Sequence, residues 1–282
     1  MLFSNYNNPG GMICAAALVL GVFGPTLVSG AGWEDQVSAV KPGDFPALAT
    51  PFRATYRIGW GGITAARAEM VIKRPQADTY EFRADTTTVG TARTLWPLDA
   101  TILSTVNASR LRPIRIDQTE ERSDRTLRES VRFDADGADR TRTIVSKSGA
   151  GAPRTETKRF DSMALQDFMS TFLLLRSQSL GNGETRTVAV MSPSVPYLMT
   201  VTVRNREEIS MRAGKFRAIR ISVDSIQRVK DDGSLVPNKR FRSATIWISD
   251  DATRQILRVQ SQVFVGSVFL ELDNVTRVAS GH

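Results

Sequence analysis

A period of two sets what this chain can fold into. Large apolar and polar side chains alternate in roughly a dozen short runs, and such alternation puts one face of an extended strand in a core and the other in water. The first group of runs is Tyr56–Trp60, Ala66–Ile72, Tyr80–Thr88, Thr101–Asn107, Leu111–Gln118, Leu127–Phe133 and Thr141–Lys147. The second is Thr185–Met191, Leu198–Arg204, Phe216–Asp224, Ser243–Ile248, Ile256–Val265 and Val268–Leu272. Links such as Gly61-Gly62, Met211–Lys215 and Gly266 leave no room for crossover helices, so the strands are expected to run antiparallel.

One segment breaks the period. Asp161–Leu180 (DSMALQDFMSTFLLLRSQSL) contains neither Gly nor Pro, has Asp161 able to cap its start, and meets a stop signal at Gly181-Asn182-Gly183. It predicts a helix over 161–180. In its second half Phe168, Met169, Phe172, Leu173, Leu174 and Leu175 cover more than one stripe, which calls for burial on more than one side by a curling sheet. Two uses of such a helix compete: a plug in the core, or a lid over an apolar ligand.

The apolar stretch Met12–Val28 is interrupted by Gly21, Gly24 and Pro25 and is short for a membrane span. Small residues follow at Ser29, Gly30 and Ala31, so residues 1–30 read as a signal peptide, though they carry no Lys or Arg. Residues 31–51, rich in Gly, Pro and Ala, read as a flexible leader, and 52–280 as a single domain. A periplasmic protein, not integral to the membrane after cleavage, is the expectation. The mature chain would hold no cysteine, since Cys14 is the only one, and would keep the formal charge of +8. Such a balance favours an anionic envelope surface as neighbour over nucleic acid, or serves solubility alone.

The chemistry available is narrow. His282 is the only histidine, so no Ser-His-Asp or Cys-His centre and no His-based zinc site can be assembled. The pairs Glu120-Glu121, Asp231-Asp232 and Asp250-Asp251 are adjacent in sequence; neighbouring strand positions face opposite ways, and solvated turn residues are expected. The acidic run Asp134–Asp139 joins two strand-like segments and reads as a hairpin turn, not a calcium loop. Gly59, Gly61 and Gly62 read as a turn without the following helix that a phosphate loop requires. The mixed charges between Arg110 and Arg159 predict ion pairs across the wet face of a sheet. No catalytic residue, metal ligand set or cofactor is assigned.

The later half carries a recognisable order of short motifs. They are Asp161-Ser162 with Leu165 and Leu175-Arg176; Ala213-Gly214-Lys215-Phe216; Ile246-Trp247-Ile248-Ser249-Asp250-Asp251 followed by Arg254; and Gly266-Ser267-Val268. With an opening element of Tyr56, Gly62-Ile63 and Ala68, this order resembles the bacterial family catalogued as domain of unknown function 3108, whose members are exported. One departure is Ala66, where the family pattern has glycine. The resemblance implies a mainly β fold: a strongly curved antiparallel sheet, an open or half barrel, wrapped around one central α-helix, similar to periplasmic lipoprotein carriers and receptors. It gives Asp161, Ser162, Arg176, Gly214, Phe216, Trp247, Asp250 and Gly266 structural parts.

Three readings follow. The first is a non-enzymatic envelope protein that binds an apolar or amphipathic ligand such as a lipid, or a protein partner, within the curved sheet; Phe168, Met169, Phe172 and Leu175 would line or plug its cavity, with Trp60 or Trp247 near the mouth. The second is a structural or assembly factor with a filled core that docks other envelope proteins. The third is a sugar or cell-wall hydrolase built on distant carboxylates.

Overall fold

The alternating runs become sixteen strands in one sheet. The structure, a computed structural model, describes residues 32–44, 52–149, 151–238, 243–262 and 266–277; the expected signal peptide lies outside them. The first eight strands are β1 (Phe52–Trp60), β2 (Ile63–Gln76), β3 (Thr79–Thr88), β4 (Leu98–Asn107), β5 (Pro113–Arg122), β6 (Arg125–Phe133), β7 (Ala138–Ser146) and β8 (Arg154–Phe160). The next are β9 (Leu165–Asp167), β10 (Thr185–Met191), β11 (Pro196–Met211), β12 (Gly214–Val229), β13 (Leu235–Pro237), β14 (Ser243–Ser249), β15 (Ile256–Gln262) and β16 (Ser267–Arg277). Two helices interrupt them among the described residues, α1 (Gly90–Leu95) and α2 (Phe168–Arg176), where the sequence predicted one.

Strand order is β8-β7-β6-β5-β4-β3-β2-β1-β16-β15-β14-β12-β11-β10-β9, with β13 beside β12. Neighbours are antiparallel, except that β9 pairs in parallel with β10. The ends β8 and β9 do not pair, so the sheet is curved but not closed. Its inner faces nevertheless meet. Ile116, Val131 and Ala138 from β5 to β7 pack in one cluster with Leu165, Ala189 and Leu198 from β9 to β11. The larger cluster gathers Tyr56, Phe82, Val106, Val203, Ile219 and Leu272 with Met169, Leu173 and Leu174 of α2.

The helix is shorter than the sequence predicts and starts later. Residues 165–167 are extended because Leu165, Gln166 and Asp167 take register with Ala189, Val190 and Met191. The cap is then Asp167: its Oδ1 accepts from the Ser170 amide at 2.6 Å while the Ser170 hydroxyl accepts from the Asp167 amide at 3.0 Å, a reciprocal pair that satisfies two otherwise orphaned donors. Asp161 instead sits in the preceding loop, accepting from Arg159.

The other end of α2 is held by distant residues. Arg176 is buried, donates to the Thr253 carbonyl, and lies over the rings of Phe52 and Phe172 at 5.6 and 4.9 Å. Arg254, at φ 43°, donates to the carbonyls of Arg176, Gln178 and Ser179. It is aimed there by a turn in which Asp251 Oδ1 accepts from the Ser249 and Thr253 hydroxyls and from two backbone amides. Burial pushes both guanidinium groups down to about 10, still charged at neutral pH.

Residues 32–44 of the expected leader lie against the domain. Trp33 is buried in the second cluster, Ser38 exchanges hydrogen bonds with Thr187, and the Gly43 amide donates to the Ser177 hydroxyl at 2.9 Å.

Charge inside the sheet is the main departure from the alternation rule. Glu120, Glu129 and Arg140 face inward and are buried. Glu120 pairs with Arg122 at 2.5 Å, and Glu129 accepts from the Ser194 hydroxyl while Arg140 donates to the Ser194 carbonyl at 2.6 Å. These bonds clasp the turn between β10 and β11 onto β6 and β7. Glu120 is therefore not a solvated residue, and part of the ion pairing expected on the wet face lies within.

The β1–β2 hairpin turns through Gly61 and Gly62, both at positive φ, the geometry a two-residue loop requires. At Gly59 the need is space: a Cβ there would lie 2.1 Å from the Ile63 carbonyl oxygen and 2.5 Å from the Phe269 ring. Gly59→Ala is expected to lower stability by about 2–3 kcal/mol through this overpacking, read as a shift of the urea midpoint with an unchanged slope.

Candidate functional site

The face of β1 to β5 turned away from the core carries two rows of polar side chains. Strand register sets them side by side: Thr55, Glu69, Asp85, Thr101 and Thr119 in one, Arg57, Arg67, Thr87, Asp99 and Glu121 in the next. The inward neighbours on the same strands are small or buried, among them Ala54, Ala66, Ala68, Ala84 and Ala100. The rows line a cleft of about 540 Å³, which Asp273 of β16 also borders. That volume falls in the range of small-ligand sites.

Five carboxylates line the cleft, Glu69, Asp85, Asp99, Glu121 and Asp273, against one guanidinium, Arg67. Cations around the rim hold them in place. Arg53 reaches Glu69 at 2.9 Å, Arg83 reaches Asp85 at 2.5 Å, Arg93 of α1 grips Asp99 at 2.8 Å and Lys147 meets Glu121 at 2.8 Å. Within the cleft Thr101 donates to Asp85 at 2.8 Å and Thr87 to Asp99 at 2.5 Å. The hydrogen bonds from Arg83, Arg93 and Lys147 are the main reason that Asp85, Asp99 and Glu121 are held below the usual carboxylate range. All three are ionised at neutral pH. Glycoside hydrolysis on a carboxylate pair needs one acid held above that range to protonate the leaving group; these three are shifted the other way.

The residues expected to line or plug a cavity pack on the core. Met169 is 3% exposed inside the main cluster, and Phe168, Phe172 and Leu175 are half-buried against it. The space bounded by Leu175, Leu180, Val201, Val203 and Ile221 together with Gln178, Glu184 and Arg186 is about 10 Å³, room for no more than one water molecule. Trp247 is half-buried and donates from Nε1 to Glu207 at 2.6 Å. Trp60 stands at the β1–β2 hairpin, 51% exposed, with Gly266 packed against its indole.

The motif residues build the scaffold. Gly214 turns the β11–β12 hairpin at φ 127°, Phe216 packs on the core, Ser162 is buried beside β9, and Asp250 pairs with Arg206 and Arg217. The model of the protein family of unknown function DUF3108 matches residues 55–273 of the chain. The chain belongs to the DUF3108 family. No curated protein sequence matches it. Among solved structures, a β-barrel-like protein of domain of unknown function DUF1849 from Brucella abortus aligns with a TM-score of 0.54 at 10% identity, covering 82% of this chain and 98% of that one. A Bacteroides fragilis protein with a YmcC-like fold aligns with a TM-score of 0.34 at 8% identity, over 85% of this chain and 100% of that one. The first likeness concerns the fold, and it agrees with the curved, mainly antiparallel sheet of this DUF3108 chain.

Sequence reasoning missed the cleft. Glu69, Asp85 and Asp99 lie on successive hairpins, and the signal that could have found them is register: counted back from each turn, they fall in neighbouring rows on one face.

Proposed function

We propose that this DUF3108 chain is an exported, non-enzymatic protein of the cell envelope that acts as a docking scaffold, with its outer face as the working surface. The contrast that carries the reading is between the two sides of the sheet: the space beside α2 is packed, while the polar face holds a cleft of about 540 Å³. A carrier of acyl chains needs the reverse, an apolar hollow large enough for the chain. The absence of a carboxyl held ready as a proton donor among Asp85, Asp99 and Glu121 supports a role in binding over hydrolysis.

The mature protein purified from its host is expected to yield no stoichiometric lipid on organic extraction and mass spectrometry. A photocrosslinking residue at Thr101, in the cleft, is expected to capture an envelope component in cells. One acyl lipid per protein in the extract, with no capture at Thr101, returns the working surface to the interior and overturns the reading.

A further inference from the structure

Beyond the polar face, we infer that one end of the sheet docks the protein on an anionic phospholipid bilayer, with Trp60 and Trp96 at headgroup level and Ile63 and Leu95 reaching the acyl boundary. Trp60, Ile63, Leu95 and Trp96 are 51%, 75%, 58% and 49% exposed, and they come together from two separate turns. Trp60 and Ile63 pair across the β1–β2 hairpin. Leu95 and Trp96 stand where β3 passes through α1 into β4. That passage is fastened to the same end by the bond from the Val89 amide to the Ala65 carbonyl at 2.9 Å and by the Thr88 hydroxyl, which donates to the Trp96 carbonyl at 3.2 Å. Large apolar side chains gathered this way on a surface mark a contact site.

Shape and charge name the occupant. The turns project: apart from its chain neighbours, nothing lies within 4 Å of where a Cβ would stand at Gly61, Gly62 or Gly90. The four side chains therefore sit on tips and do not line a groove. A projecting tip enters a fluid interface without needing a matching hollow, and tryptophan, with an apolar body and an N–H donor, favours the headgroup level of a bilayer. The adjoining polar face does not repel anionic lipid, because each carboxylate of its cleft has a cation beside it. Arg53 neutralises Glu69, Arg83 Asp85, Arg93 Asp99, Lys147 Glu121 and Arg57 Asp273. Arg67, exposed further along β2, makes no ion pair among the described residues and is left over as positive charge, on a chain that carries +8 as a whole. Apolar tips on a basic molecule bind an interface through buried area and attraction to anionic headgroups together.

The test adds the mature full chain to vesicles of phosphatidylcholine, alone or with an equal part of phosphatidylglycerol, and to the same vesicles with brominated acyl chains. The protein is expected to sediment with the anionic vesicles, less so as salt rises, and the bromine to quench its tryptophan fluorescence. Ile63→Glu combined with Leu95→Glu is expected to weaken binding about tenfold. Ile63→Ser with Leu95→Ser makes the same comparison without added negative charge. Met163→Glu, at an apolar side chain 66% exposed before β9, is expected to leave binding unchanged, and Arg67→Gln to lessen its dependence on salt. No sedimentation, equal affinity for wild type and tip variants, or equal binding to the neutral vesicles each overturns the inference. So does a photocrosslinking residue at Leu95 that captures a protein in cells while the vesicles bind nothing. Docking on the polar face is tested apart from this, by capture at Thr101.

Discussion

Arg254→Ala is expected to lower the free energy of unfolding by about 3–4 kcal/mol, the cost of leaving several buried carbonyls without a charge-assisted donor. The guanidinium reaches the carbonyls of Arg176, Gln178 and Ser179, at the end of α2 where the peptide dipoles present negative charge. Its loss also frees the last turn that positions Arg176 over Phe172. Arg254→Lys is expected to recover less than half of the loss, because an ammonium cannot reproduce the planar fork. Urea unfolding followed by far-ultraviolet dichroism measures both, and an alanine variant within about 1 kcal/mol of wild type would show that the bonds are not what fixes the helix end.

The second large effect sits at the other end of the helix and depends on pH. Asp167 is fully buried, and burial raises its carboxyl above the ordinary value despite the bonds from Ser104 and Ser170. In the window between the unfolded value near 4 and the raised native one, the folded chain binds more protons than the unfolded chain. This group therefore makes stability fall as pH rises through that window, and the charge remains a burden above it. Asp167→Asn keeps the cap without the charge, so its stability relative to wild type is expected to increase from about pH 4 upward until the native carboxyl is ionised. Glu129 is raised by burial too, so the variant reduces the slope without removing it. Asp167→Ala loses the cap and strands the Ser104 hydroxyl, and is expected to cost about 2–4 kcal/mol. A difference between Asn variant and wild type that is flat with pH would show that Asp167 titrates alike in both states.

Most strands were legible because each has one wet face, so that Tyr56, Ile58, Phe82 and Ile219 announced their side by alternation alone. The start of α2 was not, since Asp161 and Asp167 are equally good caps and the choice is made by pairing with β10, distant in sequence. Glu120, Glu129 and Arg140 misled for a related reason: a charged residue in an alternating run reads as solvated, and the groups that let it turn inward, Arg122 and Ser194 among them, become neighbours only after the sheet curls. Trp60 read as standing near the mouth of a cavity, and the structure leaves it half in water at the β1–β2 hairpin. The motif residues were legible as a family signature before their work was visible; Asp251 and Arg254 prove to be one device for finishing a helix.

The path of the chain has a consequence for how it is made. β1 lies beside β16 at the middle of the sheet, and β8 passes to β9, at the opposite border, through four residues. The N-terminal half thus waits, with a row of backbone donors and acceptors open along β1, until β16 arrives beside it. Only then does the seam zip shut. Contacts so far apart in sequence form slowly, and the unfinished half offers any other strand the place reserved for the final one.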